Sequence, residues 1–191
     1  MRELQERILK DGAVLPDGII KVGAFLNHRV DPVLMEHIAA EFGKRFDMDK
    51  VTLILTAESS GIAVAAFAAR KFGKPFLFAK KAKSKNISGD VYRSEVFSHT
   101  YRKPVTLMVS REWIRPSDRV LILDDFLANG AAARGLLDLV RQSGAEPLGI
   151  GCVIEKGFQG GGDRLRAEGV RVESLAILES AEPGHIVFRS V

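Results

Sequence analysis

The sequence holds one cysteine, Cys152, in 191 residues. One thiol can form neither an internal disulfide nor a thiolate metal cage. The four histidines, His28, His37, His99 and His185, show no metal-ligand spacing, and neither CxxC nor HExxH occurs. The longest uninterrupted apolar run, residues 62–69, is eight residues long. A membrane-spanning helix needs roughly 20. The start, MRELQERILK, is charged and has no signal-peptide core. No repeat and no Pro/Gly/Ser-rich linker divides the chain. The expectation is one domain over residues 1–191, reduced and cytoplasmic, with no membrane partner. Two nucleotide motifs are also missing. GFQGGG at 157–162 is not GxGxxG, and Gly73-Lys74 lacks the rest of a P-loop. Asn86-Ile87-Ser88 is a glycosylation triplet that a cytosolic chain would not use.

What is present is an ordinary globular mixture, 46% hydrophobic and 27% charged, enough for a sizeable core. Lys and Arg number 28 against 24 Asp and Glu, a net charge of +4. That balance suits a handler of anions, either phosphorylated metabolites or nucleic acid, and equally an ordinary surface.

The chain alternates two rhythms. Residues 2–10 read as a short amphipathic helix ending near Gly12. Asp31-Pro32 opens a helix with an acidic cap and a proline at its first position; Leu34, Ile38, Phe42 and Phe46 then form its apolar stripe. VTLILT at 51–56 is a strand buried on both faces, followed by a small-residue helix closing at Gly73. Further strands are expected at 75–79, 105–109, 119–123, 148–154 and 170–176, with a helix from Ala131 to Ser143. Cys152, inside one of these strands, should be buried and inert. The fold class is α/β, a parallel-rich central sheet flanked by helices, whose strand C-termini share one ligand-binding edge. Lys80 to Pro104 breaks the pattern and reads as a mobile loop or a flexible hairpin, a place for a lid.

Chemistry concentrates in VLILDDFLANGAAARGLL, residues 120–137. A buried strand delivers Asp124 and Asp125; a short turn with Asn129 and Gly130 then opens a helix. Free N–H groups and the positive helix end favour a phosphate monoester. Gly130 lets the backbone approach it closely. Two carboxylates beside it suit vicinal hydroxyls, and phosphate plus diol describes ribose 5-phosphate. Paired acids also occur in Mg²⁺ sites and response-regulator pockets, or merely cap a turn. Glu58-Ser59-Ser60-Gly61, again between strand and helix, suits a diphosphate, while an ordinary serine cap explains the two serines equally well. Four lysines in 80–85 (KKAKSK) make either a solvated loop or counter-charges for such a diphosphate. Lys156 falls at a strand end on the same sheet edge, where an exposed lysine is also ordinary. Phe126 is suited to stacking on a base or to the core.

The stretch DDFLANG, with ESSGI upstream, IEKGFQ downstream and LPDGIIKVGAFLNHRVDP near the start, resembles the type I phosphoribosyltransferases. The likeness runs over essentially the whole chain and is greatest to the members that act on xanthine. It implies that fold, with a small hood built from residues 1–35 and 156–191. It implies Asp124 and Asp125 on the ribose 2- and 3-hydroxyls, and Ala128, Asn129, Gly130, Ala131 and Ala132 around the 5-phosphate of phosphoribosyl diphosphate (PRPP). Many relatives carry Thr or Gly in that loop, so Ala131-Ala132 lacks a hydroxyl contact here and shifts work to backbone amides and Asn129. Glu58, Ser59, Ser60 and Gly61 would form the pyrophosphate loop, which sometimes contains a cis peptide, and Lys81 would reach the diphosphate. The segment through Tyr101 would close over the site. Ile20, Asn27, Phe126 and Lys156 would hold the base, Lys156 at the exocyclic 6-oxygen and Asn27 at the 2-oxo group.

The implied reaction moves the 5-phosphoribosyl group from PRPP to N9 of xanthine and gives XMP and diphosphate, in a homodimer. Mg²⁺ would bind mainly through PRPP, with no protein ligand named. A preference for guanine or hypoxanthine is an alternative within the same chemistry. A PRPP-binding transcriptional regulator is another, but residues 1–30 are too short for a helix-turn-helix module. An RNA-binding role for 80–85 lacks interleaved aromatics and arginine, so no nucleic-acid partner is expected.

Overall fold

The computed structural model describes all residues except 17, 82–89, 99–102 and 191. In chain order its elements are α1 (Arg2–Asp11), β1 (Ala13–Val14), β2 (Ile20–Lys21), α2 (Pro32–Arg45), β3 (Leu53–Ala57), α3 (Gly61–Phe72), β4 (Phe76–Ala79), β5 (Val91–Ser98), β6 (Lys103–Ser110), β7 (Arg119–Leu127), α4 (Ala131–Gln142), β8 (Glu146–Lys156), α5 (Gly161–Ala167), β9 (Val172–Glu182) and β10 (His185–Phe188). A π-helical turn, Gly23–Asn27, lies between β2 and α2.

Apolar runs without alternation need cover on both faces, and the central sheet has it. Its order is β10-β9-β8-β7-β3-β4, parallel throughout except for the β9–β10 pair. Along β7, Leu121 and Leu123 enter one core with α1, α2 and α3, while Val120 and Ile122 enter the other with α4 and the β6 residues Leu107 and Val109. The two-residue period of the strand thus sorts side chains between two cores. Cys152 is buried in the second, as expected, and burial pushes its thiol well above the ordinary range.

Local signals account for the helix ends. Asp31 caps α2 by accepting from the N–H groups of Val33 and Leu34, with Pro32 following. Gly73 closes α3 at a φ of +62°. Leu4 and Ile8 bury one face of α1.

The end of β7 differs from the sequence expectation. β7 does not stop at Leu123 but runs through both acids to Leu127, because β8 continues beside it to Lys156 and supplies ladder partners. The break at 80–104 is in part a hairpin. β5 and β6 pair along their whole length, and Lys80 bridges to Met108. The hairpin lies on α4, where Gly135 admits it: a Cβ there would stand 2.4 Å from Val96 Cγ1. The lid expected of this segment falls largely on 82–89 and 99–102, outside the described residues, as do the glycosylation triplet, Tyr101 and Lys83 and Lys85. Of the C-terminal stretch expected in the hood, β9 and β10 extend the central sheet itself. Residues 1–30 form α1, the β1–β2 ribbon and the π-helical turn, so the described part holds no helix-turn-helix.

The chain runs β3 to β4 on one side, then returns to place β7 on the other side of β3. That reversal opens a crevice beyond the C-terminal ends of β3 and β7, where open α/β sheets bind ligands.

Candidate active site

Both loops singled out from sequence meet at this crevice. β3 leads into residues 58–60 and α3, and β7 carries Asp124 and Asp125 toward the 128–132 loop and α4. Gly61 brings the two together. A Cβ on it would lie 2.1 Å from Thr56 Oγ1 and 2.6 Å from Asp124 Oδ1, so only glycine lets the start of α3 rest on that carboxylate.

The two acids have different surroundings. Asp125 is 7% exposed and its Oδ2 accepts from Asn27 Nδ2 at 3.0 Å. Asp124 Oδ1 accepts from the Asp125 N–H at 3.0 Å. Burial, and then the neighbouring Asp125 charge, push the Asp124 carboxyl well above the usual carboxylate range. The charge of Lys81 acts in the opposite direction and places that lysine in the same electrostatic neighbourhood. Lys81 is also tied in through its backbone N–H, which donates to Glu58 Oε1.

The 128–132 loop has a fixed shape. Asn129 Oδ1 accepts from the Ala131 N–H at 3.1 Å, an Asx turn. Gly130 holds a φ of +88°, a left-handed conformation that glycine adopts without strain. Its carbonyl accepts the first helical bond of α4, from Arg134 at 2.9 Å. The opening turn of a helix carries N–H groups that have no acceptor within the helix, and here they face the crevice end of the sheet. The carboxamide oxygen of Asn129 is engaged by its own loop, so Asn129 serves the loop's geometry as well as any ligand.

At the other loop the Glu58–Ser59 bond is cis, as the resemblance implied. The serine-cap explanation does not hold. Ser60 precedes α3 with helical dihedrals and no side-chain cap bond.

The four residues assigned to a base are joined in two pairs. Lys156 Nζ lies 5.8 Å from the Phe126 ring centroid and donates to Gly18 O at 3.4 Å. Phe126 is half-buried and packs on the first core, which leaves part of its ring available. Ile20 and Asn27 line one pocket of about 520 Å³ with Asp11, Lys21 and His28. The Asn27 bond to Asp125 links that pocket to the acids.

Sequence reasoning passed over three features here. Thr56 at the end of β3 is fully buried and its hydroxyl has no partner among the described residues. Glu155, beside Lys156, is fully buried and held by Arg166 at 2.9 and 2.7 Å and by the Ser174 hydroxyl. The GFQGGG turn packs on the 128–132 loop. A charged residue inside the apolar end of β8 was the available signal for the second. The others depend on contacts across the fold. Among the described residues no three His, Cys, Asp or Glu gather as a metal site.

This geometry has known counterparts. A family model described as "Phosphoribosyl transferase domain" matches residues 31–173. The chain belongs to the phosphoribosyltransferase family. Among curated proteins, a xanthine phosphoribosyltransferase of Lachnoclostridium phytofermentans is 51% identical over 191 residues, covering 99% of this chain and 98% of that one. The protein of the same name from Bacillus cytotoxicus is 52% identical, covering 98% and 95%. Among solved structures, adenine phosphoribosyltransferase from Rhodothermus marinus has a TM-score of 0.76 at 23% identity, covering 93% of this chain and 100% of its own. The enzyme from Giardia lamblia, complexed with 9-deazaadenine, has a TM-score of 0.77 at 20% identity, covering 93% and 98%. At that identity the structures share the fold.

Proposed function

We infer that the protein transfers the 5-phosphoribosyl group of PRPP to N9 of xanthine, forming XMP and diphosphate. The observation that carries this reading is the identity of 51–52% to xanthine phosphoribosyltransferases over nearly the full length of both chains. The site supplies the parts. Asp124 and Asp125 accept from the ribose 2- and 3-hydroxyls. Ala128, Asn129, Gly130, Ala131 and Ala132 wrap the 5-phosphate. Glu58, Ser59, Ser60 and Gly61 face the diphosphate, with Lys81 as counter-charge.

In the reaction the N9 lone pair forms a bond to C1 of the ribose as the C1–oxygen bond to diphosphate breaks. The diphosphate takes that electron pair, and the N9 proton leaves to solvent. Positive charge develops on the ribose beside the carboxylates of Asp124 and Asp125, which stabilise it. Holding both ends of PRPP and the base in line provides the rest. The crowded acid pair fits a divalent cation brought with PRPP, since a nearby positive charge relieves the raised carboxyl of Asp124. Held through PRPP beside Asp124 and Asp125, Mg²⁺ would supply charge neutralisation for the leaving diphosphate.

Lys156 has only donors, which match a 6-oxo group and not a 6-amino group. Asn27 spends one amide hydrogen on Asp125 and has a second for the 2-oxo group of xanthine. Phe126 stacks on the ring and Ile20 covers it. The enzyme acts as a cytoplasmic homodimer, with its hood drawn from the N-terminal residues 1–35, and without nucleic-acid or membrane partners. No helix among the described residues is long and apolar enough to cross a membrane.

Initial rates of diphosphate release with xanthine, guanine, hypoxanthine and adenine test the reading. Turnover should be fastest with xanthine and absent with adenine. In the Lys156→Met variant the KM for xanthine should rise about tenfold or more while the KM for PRPP stays put. Unchanged xanthine kinetics in that variant would remove Lys156 from the base site.

A further inference from the structure

The turn after Lys156 backs the 128–132 loop. An ideal Cβ on Gly161 would stand 2.2 Å from Ala128 O, 2.5 Å from Asn129 C and 2.6 Å from Gly130 N. The peptide joining Asn129 to Gly130 therefore rests directly on the Gly161 backbone, with no room for a side chain. Arg164 grips the same peptide. Its Nη2 donates to Asn129 O at 3.2 Å and to Gln159 O at 3.0 Å. One guanidinium nitrogen carries two hydrogens, so both bonds are served at once.

A trans peptide is planar, and its C=O and N–H point in opposite directions. Turning the Asn129 carbonyl toward Arg164 therefore turns the Gly130 N–H away from that guanidinium. The gripping element is itself anchored. Leu165 is fully buried in the second core. Arg166 binds the buried Glu155 through both terminal nitrogens, and Arg134 of α4 pairs with Glu168 at 2.5 and 2.7 Å.

We propose that Arg164 is a positioning residue for the 5-phosphate, holding the Asn129–Gly130 peptide so that the Gly130 N–H faces the phosphate, with α5 as its strut. This rests on the assignment of residues 128–132 to the 5-phosphate under the proposed function. Arg164 is exposed, so its replacement leaves the core intact.

Binding of ribose 5-phosphate, diphosphate and PRPP to the full-length protein by calorimetry separates the outcomes. Arg164→Met should weaken ribose 5-phosphate and PRPP by about five- to tenfold, the worth of one ordinary hydrogen bond. Diphosphate affinity and the thermal unfolding midpoint should not change, and kcat at saturating PRPP should stay within about twofold. Arg164→Lys, which still donates to a carbonyl, should restore most of the loss. Ala131→Glu, which sets a negative charge in the loop, tests the underlying assignment and should abolish ribose 5-phosphate binding. If Arg164→Met binds ribose 5-phosphate normally while Ala131→Glu does not, Arg164 has no positioning role. An equal loss of diphosphate affinity in Arg164→Met overturns the proposal as well, since the damage is then general. If Ala131→Glu also binds normally, the loop assignment itself fails.

Discussion

Asp124 and Asp125 are adjacent in sequence yet differ in environment, and that difference makes separate predictions for them. Asp125 accepts from Asn27, a residue 98 positions away. Asp125→Asn preserves shape and an acceptor oxygen but removes the charge that the proposed mechanism sets beside the developing cation. It should lower kcat by about a hundredfold or more, with the unfolding midpoint little changed. Steady-state rates and a thermal melt check both halves. Asp124 has a folded pKa raised above its ordinary value of 3.8. Between those two values the folded chain keeps a proton that the unfolded chain has released, so its contribution to stability is lost as pH rises through the folded pKa. Asp124→Asn, which cannot ionise, should therefore raise the melting temperature of the unliganded protein at pH 7 to 8. The gain should vanish near pH 4. A gain that persists there would assign the effect to something other than this carboxyl. The acid pair and the glycine after it were legible from the sequence because short-range chemistry defines them. The separate roles were not, since Asn27 and Gly61 reach the acids only through the fold.

At the scale of elements, the strand and helix rhythm was readable wherever both faces of the sheet are covered. β3, α3, β7, α4 and β8 fall where apolar period and caps place them. The ends were misjudged where a neighbour decides them. β7 extends through charged Asp124 and Asp125 only because β8 runs alongside it. The β5–β6 hairpin was one of two readings of its segment, and β5 itself was not read as a strand because its alternation of Tyr92, Ser94 and Val96 is diluted by polar residues. GFQGGG was dismissed as a failed nucleotide motif. Its glycines answer to close packing instead: at Gly162 a Cβ would lie 2.1 Å from Glu155 Oε1. The Glu155–Arg166 pair couples the end of β8 to α5. Removing Arg166 leaves a fully buried carboxylate with only Ser174 beside it. Arg166→Met should then destabilise the fold by about 3–5 kcal/mol, measured by urea unfolding. A second change, Glu155→Gln in the same background, should recover part of that loss. No recovery would show that the cost lies in the packing of Arg166 and not in the stranded charge.

For the whole molecule, strand order explains why distant motifs form one site. The reversal between β3–β4 and β7 brings residues 58–61, the acids and the 128–132 loop to one sheet edge, and Lys156 arrives there on the adjacent β8. Membership of the phosphoribosyltransferase family and the identity to its xanthine-named members support PRPP-dependent transfer, but the choice of base depends on a few polar contacts, which fold alone does not fix. A buried polar group matched to a substrate oxygen can separate analogues by a wide margin. The most direct measurement is a competition: PRPP and Mg²⁺ with equal concentrations of xanthine, guanine, hypoxanthine and adenine in one mixture, the nucleotides quantified by chromatography. XMP should be the main product, with minor GMP and IMP and no AMP. A mixture dominated by GMP, IMP or AMP would contradict the assignment of the base, and no nucleotide at all would contradict the transfer itself.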